Sequence, residues 1–276
     1  MKVARLLSQA RTALTSHEQG RLEAEVLLGH VLGVSRAWIY ANGDHSVEQR
    51  LSDRFLACVE RRANGEPVAY ITGTREFWSL TLKITRDVLV PRPETELLVE
   101  TALLHIPMGI KLRIADLGTG SGAIALALAL ERPDCEVHAT DISAPALALA
   151  RENASQLNLS HIQFHQGSWL DALPGTYHLI VSNPPYIAMK DPHLETGDCR
   201  FEPEVALTPG EDGMFAIQTI ATGALGSLQK GGVLVFEHGY DQGLQSRTLL
   251  NQLGYVNVQT IRDLAGLDRI TLGKRR

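Results

Sequence analysis

The chain has 276 residues, enough for one large or two modest domains with a substantial core. It is 44% hydrophobic and 21% charged with a formal net charge of −5, a balance that argues against a broad basic face for nucleic acid or anionic membrane. Cys58, Cys135 and Cys199 are far apart and in no paired spacing, which speaks against a disulfide framework or a zinc site and for a reducing, cytoplasmic setting.

No basic-then-apolar leader opens the sequence, and the most apolar segment, 123–130, is too short to span a bilayer. The first sixty-odd residues read as helices. Ser16 with Gln19, and Ser46 with Gln49, have the spacing of capping boxes. Leu22, Val26, Leu27, Val31 and Leu32 form one apolar stripe, and Val47, Leu51, Phe55 and Val59 form another that ends at Arg61, Arg62 and Asn64-Gly65. Each stripe needs a partner, so a small helical bundle over residues 1–73 is expected, with Trp38 and Tyr40 in its core or at an interface. Residues 66–73 read as one short helical turn closed by Gly73. Phe77, Leu80, Leu82 and Ile84 then lean towards the alternation of a hairpin, which places a hairpin or linker at 74–91. A helix over 94–106 follows, with Pro93 in its first turn and Glu94 and Glu96 at its positive end.

From Leu112 onwards strands and helices alternate. Strands are expected at 113–117, 136–140, 162–165, 179–182, 233–237, 255–260 and 269–272, with helices at 123–132, 144–157, 214–229 and 242–253. This pattern predicts an α/β domain over 92–276, a mostly parallel seven-stranded sheet covered on both faces. The last two strands leave no room for a helix between them and should pair antiparallel near one end of the sheet.

Asp116-Leu117-Gly118-Thr119-Gly120-Ser121-Gly122 lies where the first strand turns into a helix. Glycines there permit a sharp turn and close approach of a ligand to backbone amides at a helix start. Gly118, Gly120 and Ala123 also satisfy the dinucleotide spacing, so the loop alone is ambiguous. Asp141, ending the second strand, is placed to accept hydrogen bonds from ribose hydroxyls, which nicotinamide and adenosyl cofactors share. Asp116 suits a cationic amino-acid moiety better than a pyrophosphate; its other reading is a carboxylate that ties down the loop's own donors.

Asn183-Pro184-Pro185-Tyr186 ends the fourth strand, next to the first in a doubly wound sheet. The prolines keep Asn183 and Pro184 extended, which offers the Asn183 side-chain oxygen and the Pro184 carbonyl as two acceptors beside a flat aromatic ring. That set fits a planar amide or amine with two hydrogens; the plainer reading is a rigid turn. Pro91 and Arg92 are placed to border the same crevice, although Arg92 would pair equally well with Glu94 or Glu96. Glu237-His238 reads more readily as a structural pair. The long polar connection 188–209, around Arg200-Phe201-Glu202-Pro203, reads as a functional lid.

Taken with residues 65–71, Arg75-Glu76-Phe77-Trp78 and Val90-Pro91-Arg92-Pro93-Glu94-Thr95-Glu96, the glycine loop and Asn-Pro-Pro-Tyr resemble the release-factor glutamine methyltransferase (HemK/PrmC) family over nearly the whole chain. The resemblance implies a Rossmann-like methyltransferase domain that uses S-adenosylmethionine and releases S-adenosylhomocysteine. It further implies methylation of the glutamine amide in the Gly-Gly-Gln motif of class I peptide-chain release factors. It assigns Gly118, Thr119, Gly120, Ser121, Gly122, Asp141, Trp169 and Asn183 to the cofactor, with Trp169 beside the adenine. Asn183, Pro184, Pro185 and Tyr186 go to the substrate, and Asn183, Pro184 and Tyr186 to catalysis. Partner docking falls to the N-terminal bundle, a monomer is expected, and no metal, membrane or direct nucleic-acid contact is implied. The rivals are methylation of a ribosomal-protein glutamine or of adenine in DNA, a nicotinamide oxidoreductase, and a non-enzymatic nucleotide-binding adaptor.

Overall fold

The computed structural model describes every residue except Ser16, Glu18 and Glu211, with the backbone alone at His193, and it divides into two units, Met1–Thr74 and Arg75–Arg276. Among the described residues, no helix is long and apolar enough to cross a membrane.

The first unit is built from α1 (Val3–Ala13), α2 (Gly20–Leu32), α3 (Arg36–Ala41), α4 (Gln49–Ala63) and α5 (Val68–Thr72). On α1, Val3, Leu6, Leu7 and Ala10 are buried at the spacing of one helical face. On α2 the buried face is Ala24, Leu27, Leu28 and Val31. The expected stripe is therefore rotated: Leu22 is exposed, because the true 3.6-residue register runs through Leu28 rather than Leu22. Phe55 and Val59 of α4 meet these faces in one core, with Leu51 and Trp38 packed at its edge. Tyr40 instead is 55% exposed, and its hydroxyl donates to buried Glu25 at 2.7 Å.

The capping box expected at Ser46 and Gln49 does not form. Ser46 is taken up in a β-bridge with Lys2, while Val47 N donates to Met1 O at 2.7 Å. Glu48 then occupies the N-cap of α4 without a side-chain cap bond. Ser16 lies outside the described residues, and the N-cap of α2 is Gln19, also without a side-chain bond. The helix that does receive a side-chain cap is α3, where Ser35 accepts from Trp38 N at 3.2 Å.

The second unit opens on a hairpin of β1 (Thr74–Phe77) and β2 (Leu80–Lys83). Trp78 and Ser79 turn it with φ of 51° and 58°, the left-handed pair of a two-residue hairpin turn. This conformation is unusual for a tryptophan and is braced: Trp78 N donates to Glu96 Oε1 at 2.8 Å, and its indole N–H to Glu131 at 2.9 Å. Next comes α6 (Thr95–Leu103). It starts a residue later than expected, because Pro93 and Glu94 form a turn in which Thr95 N donates to Arg92 O at 3.1 Å.

The alternating region then runs β3 (Arg113–Leu117), α7 (Ala123–Glu131), β4 (Glu136–Asp141), α8 (Ala144–Gln156), β5 (Gln163–Gln166), β6 (Tyr177–Ser182), α9 (Glu204–Leu207), α10 (Phe215–Ser227), β7 (Leu228–Glu237), α11 (Gly243–Gln252), β8 (Val256–Arg262) and β9 (Asp268–Lys274). The sheet order is β5-β4-β3-β6-β7-β9-β8. β5 to β7 are parallel, whereas β9 is antiparallel to both β7 and β8. The central strands are covered on both faces, so Ile114–Leu117 and Leu179–Ser182 are buried without interruption. Strand order reverses between β3 and β6, which opens a crevice at their carboxyl ends.

The connection 188–209 is built rather than open. It carries two 3-10 turns, Pro192–Glu195 and Gly197–Phe201, and then α9. Buried Glu202 accepts from Val90 N at 3.0 Å and from the Arg92 guanidinium. Ile187 N donates to Leu207 O at 3.0 Å, and Met189 N to Gly210 O at 3.1 Å. A charged, hydrogen-bonded anchor on one side and backbone pairing on the other fix this segment, whose Cys199, Val205 and Ala206 line the crevice.

Candidate active site

The glycine loop leaves β3 with φ of +71° at Gly118, +55° at Gly120 and +87° at Gly122. Gly118 N and Thr119 N both donate to Thr140 O at 2.9 Å, which ties the loop to the end of β4. Asp116 lies beneath the loop, fully buried. Its Oδ2 accepts from the Thr119 hydroxyl at 2.6 Å and from Ala125 N at 3.1 Å, so it ties down the loop's own donors, while Oδ1 has no partner among the described residues. Burial, helped by the charge of Asp141, pushes its carboxyl up to about 7.

Asp141 accepts from Gly120 N through Oδ2 and from Ser143 N through Oδ1, both at 2.9 Å. Burial raises its carboxyl, and the backbone donors work against that rise. Each carboxylate oxygen retains a lone pair for a further donor. Trp169, with φ of 47°, is anchored through its carbonyl by Thr140 Oγ1 at 2.9 Å. Its ring covers Gly118 so closely that a Cβ there would meet Cζ3 at 3.2 Å.

These groups wall a cleft of about 280 Å³ that Gly118, Gly120, Asp141, Trp169, Asn183 and Pro185 line. The site fits an adenosyl group: carboxylate lone pairs for ribose hydroxyls, an aromatic face for the base, and open space beside Gly120, where a Cβ would meet nothing within 4 Å among the described residues beyond its chain neighbours. Thr119, Ser121 and Gly122 are buried behind this wall. The Ser121 carbonyl accepts from Asn153 Nδ2 at 2.9 Å, and the same amide brackets Lys83, which pins loop and hairpin together.

A second cleft, of about 300 Å³, is lined by Arg92, Asn183, Pro184, Tyr186, Cys199 and Arg269 among others. The two clefts share Leu89, Asn183, Pro185 and Ala206. Arg92 thus borders the crevice, but its ionic partners are Glu202 and Asp198 rather than Glu94 or Glu96. Pro91 is buried and lines neither cleft.

Residues 5–73 match the family described as PrmC N-terminal domain, and residues 93–201 that described as methyltransferase small domain. A release factor glutamine methyltransferase of Xylella fastidiosa strain Temecula1 is 51% identical over 255 residues, which cover 92% of this chain and 93% of that protein. The chain belongs to the release factor glutamine methyltransferase family. A second member, from Salmonella typhimurium strain LT2, is 46% identical over 97% of each chain. Among solved structures, a T. thermophilus 16S rRNA N2 G1207 methyltransferase in complex with AdoMet and guanosine superposes with a TM-score of 0.56 at 20% identity, covering 74% of this chain and 50% of that one. That likeness establishes the Rossmann-like methyltransferase fold and no more.

Two residues outside the expected set stand behind Asn183 and Tyr186. Asn183 Nδ2 donates to Thr95 Oγ1 at 3.2 Å, Thr95 donates to Glu237 Oε2 at 2.8 Å, and the Tyr186 hydroxyl donates to Glu237 Oε1 at 3.2 Å. Glu237 and His238 are not a pair, since His238 turns away to Thr271 and the Gly239 carbonyl. Thr95 lies inside the Pro91-to-Glu96 motif, but its partner is 142 positions away, and no local pattern joins them.

Burial pushes the Glu237 carboxyl from its ordinary 4.5 up to about 7. The folded state therefore binds a proton that the unfolded state has released, and this contribution is complete below about pH 4.5 and lost above about pH 7. Glu237→Gln removes the titration, so its melting temperature relative to the parent should rise from pH 5 to pH 8. A difference constant across that range in calorimetric scans would contradict the assignment.

Proposed function

We propose that the chain transfers a methyl group from S-adenosylmethionine to the side-chain amide nitrogen of the glutamine in the Gly-Gly-Gln motif of class I peptide-chain release factors. The observation that carries this reading is the meeting of two clefts at Asn183 and Pro185, one suited to an adenosyl group and one lined by Pro184 and Tyr186. When bound, S-adenosylmethionine supplies an electrophilic methyl group on a sulfonium. Asp141 would take the ribose hydroxyls, Trp169 would offer its ring to the adenine, and the backbone at Gly118 and Gly120 would form the floor.

A glutamine amide nitrogen is a poor nucleophile because its lone pair is delocalised into the carbonyl. Asn183 and Pro184 hold its two hydrogens through their carbonyl oxygens while Tyr186 packs on the amide plane. Holding reacting atoms at about 3 to 3.5 Å in line supplies several kcal/mol of the barrier. Acceptors facing those hydrogens also stabilise the positive charge that grows on nitrogen as the nitrogen–carbon bond forms and the carbon–sulfur bond breaks, and one amide proton then leaves to solvent. The helical unit, residues 1–73, serves to dock the release factor, and translation places that work in the cytoplasm.

The test is incubation with methyl-labelled S-adenosylmethionine and, separately, a class I release factor, ribosomal protein or DNA, followed by mass spectrometry. One added methyl on the glutamine of Gly-Gly-Gln is expected. Label in DNA or in ribosomal protein alone would overturn the assignment.

A further inference from the structure

We propose that Thr95 and Glu237 set the polarity of the Asn183 amide, so that its oxygen, and not its nitrogen, faces the glutamine to be methylated. The inference rests on the reading of Asn183 as an acceptor for that glutamine. A primary amide can turn by half a rotation with little change of shape, exchanging an acceptor for two donors. Something must therefore choose the orientation at Asn183, and the hydrogen-bond chain behind it does so.

Thr95 has one hydroxyl proton to give. Ionised Glu237 can only accept, and its Oε2 lies 2.8 Å from Thr95 Oγ1, so that proton is committed there. Only lone pairs of Thr95 then remain for Asn183, 3.2 Å away, and only the Nδ2 side of the amide can answer them. Oδ1 is left for the incoming amide. The reversed amide would bring two acceptors together at Thr95 and aim N–H at the N–H of the target. The same carboxylate accepts from the Tyr186 hydroxyl through Oε1 at 3.2 Å, so one buried charge steadies both the acceptor and the ring beside it.

The charged and titratable groups facing Glu237 are Tyr186 after β6, Arg269 on β9, and Glu94 before α6. Arg269 favours the ionised form; burial and Glu94 oppose it. Protonated Glu237 can donate to Thr95 and release the Thr95 hydroxyl towards Asn183, which permits the reversed amide. Turnover should therefore fall as the pH drops through the range in which Glu237 gains a proton. These are positioning residues, since neither Thr95 nor Glu237 lines either cleft.

The experiment compares Thr95→Val, Thr95→Ser, Glu237→Gln and Asn183→Ala in the full chain, with release factor as substrate. It measures kcat and KM for both substrates, cofactor Kd by calorimetry, melting temperature, and kcat against pH. Thr95→Val should lower kcat about tenfold or more with cofactor Kd within about twofold, and Thr95→Ser, which keeps the hydroxyl, should restore at least about half of the parent kcat. Glu237→Gln should lose kcat similarly and lose the acidic limb of the pH profile; it also carries the test if Val at position 95 prevents folding. Parent-level kcat in folded Thr95→Val or in Glu237→Gln, or a Thr95→Ser variant as impaired as Thr95→Val, overturns the inference. So does a fall in kcat matched by equal loss of cofactor affinity. Asn183→Ala separates the two levels: if it is inactive while Thr95→Val is not, only this inference fails, and if it keeps parent turnover, the acceptor reading fails with it.

Discussion

Asn183→Ala should lower methyl transfer to release factor by at least about 100-fold, the usual scale for deleting one group that contacts charge developing in a transition state. The substitution removes the side-chain acceptor at the junction of the two clefts and leaves the Pro184 carbonyl alone to hold the amide. Of the groups assigned to the cofactor, Gly118, Gly120, Asp141 and Trp169 do not depend on the Asn183 side chain, whose hydrogen bond goes to Thr95. Calorimetric affinity for S-adenosylmethionine should accordingly change by no more than about threefold, well under the 1.4 kcal/mol that a tenfold change represents. A parallel loss of binding and turnover would show that Asn183 shapes the cofactor cleft instead of the acceptor site.

Gly120→Val should have the converse effect and abolish cofactor binding while the protein stays folded. Gly120 adopts φ of +55°, where a β-branched residue costs about 1–3 kcal/mol. A Cβ at this position meets nothing within 4 Å among the described residues beyond its chain neighbours while the residue lines the cleft, so the added side chain occupies space open to the ligand rather than clashing with the core. The distortion also threatens the Gly120 N to Asp141 bond that aims the carboxylate. Gly122 provides the contrast: its Cβ would meet Leu126 at 3.1 Å and Ala150 at 3.3 Å, so substitution there should lower the melting temperature instead. Near-parental cofactor affinity in Gly120→Val would remove the loop from the binding site.

The alternation after Leu112 announced the sheet, and the strand ends were legible because buried parallel strands read as apolar runs that stop at polar residues, as β6 does at Asn183. The bundle was harder. Its α2 stripe was misread by including Leu22, because a helix rich in apolar residues on several sides offers more than one plausible face. The Ser46 box does not form because Ser46 bridges to Lys2, 44 positions away. Local capping signals carry about 1 kcal/mol, little enough for tertiary pairing to displace.

For the site, residue types and short-range spacing determined which groups could do chemistry. The glycines had to turn sharply, the prolines had to hold Asn183 extended, and Asp141 had to end a strand. Those are consequences of backbone sterics and strand period, which act within a few residues and are therefore written in order along the chain. Only the tertiary structure decided which of them face a cleft and what stands behind them. It turned Asp116 beneath the loop, gave Arg92 to Glu202 across 110 positions, and set Glu237 behind Asn183 through Thr95 and directly against the Tyr186 hydroxyl. Hydrogen bonds and ion pairs between distant segments depend on where the sheet order reverses and how the loops cross it, and no one-dimensional pattern encodes that distance.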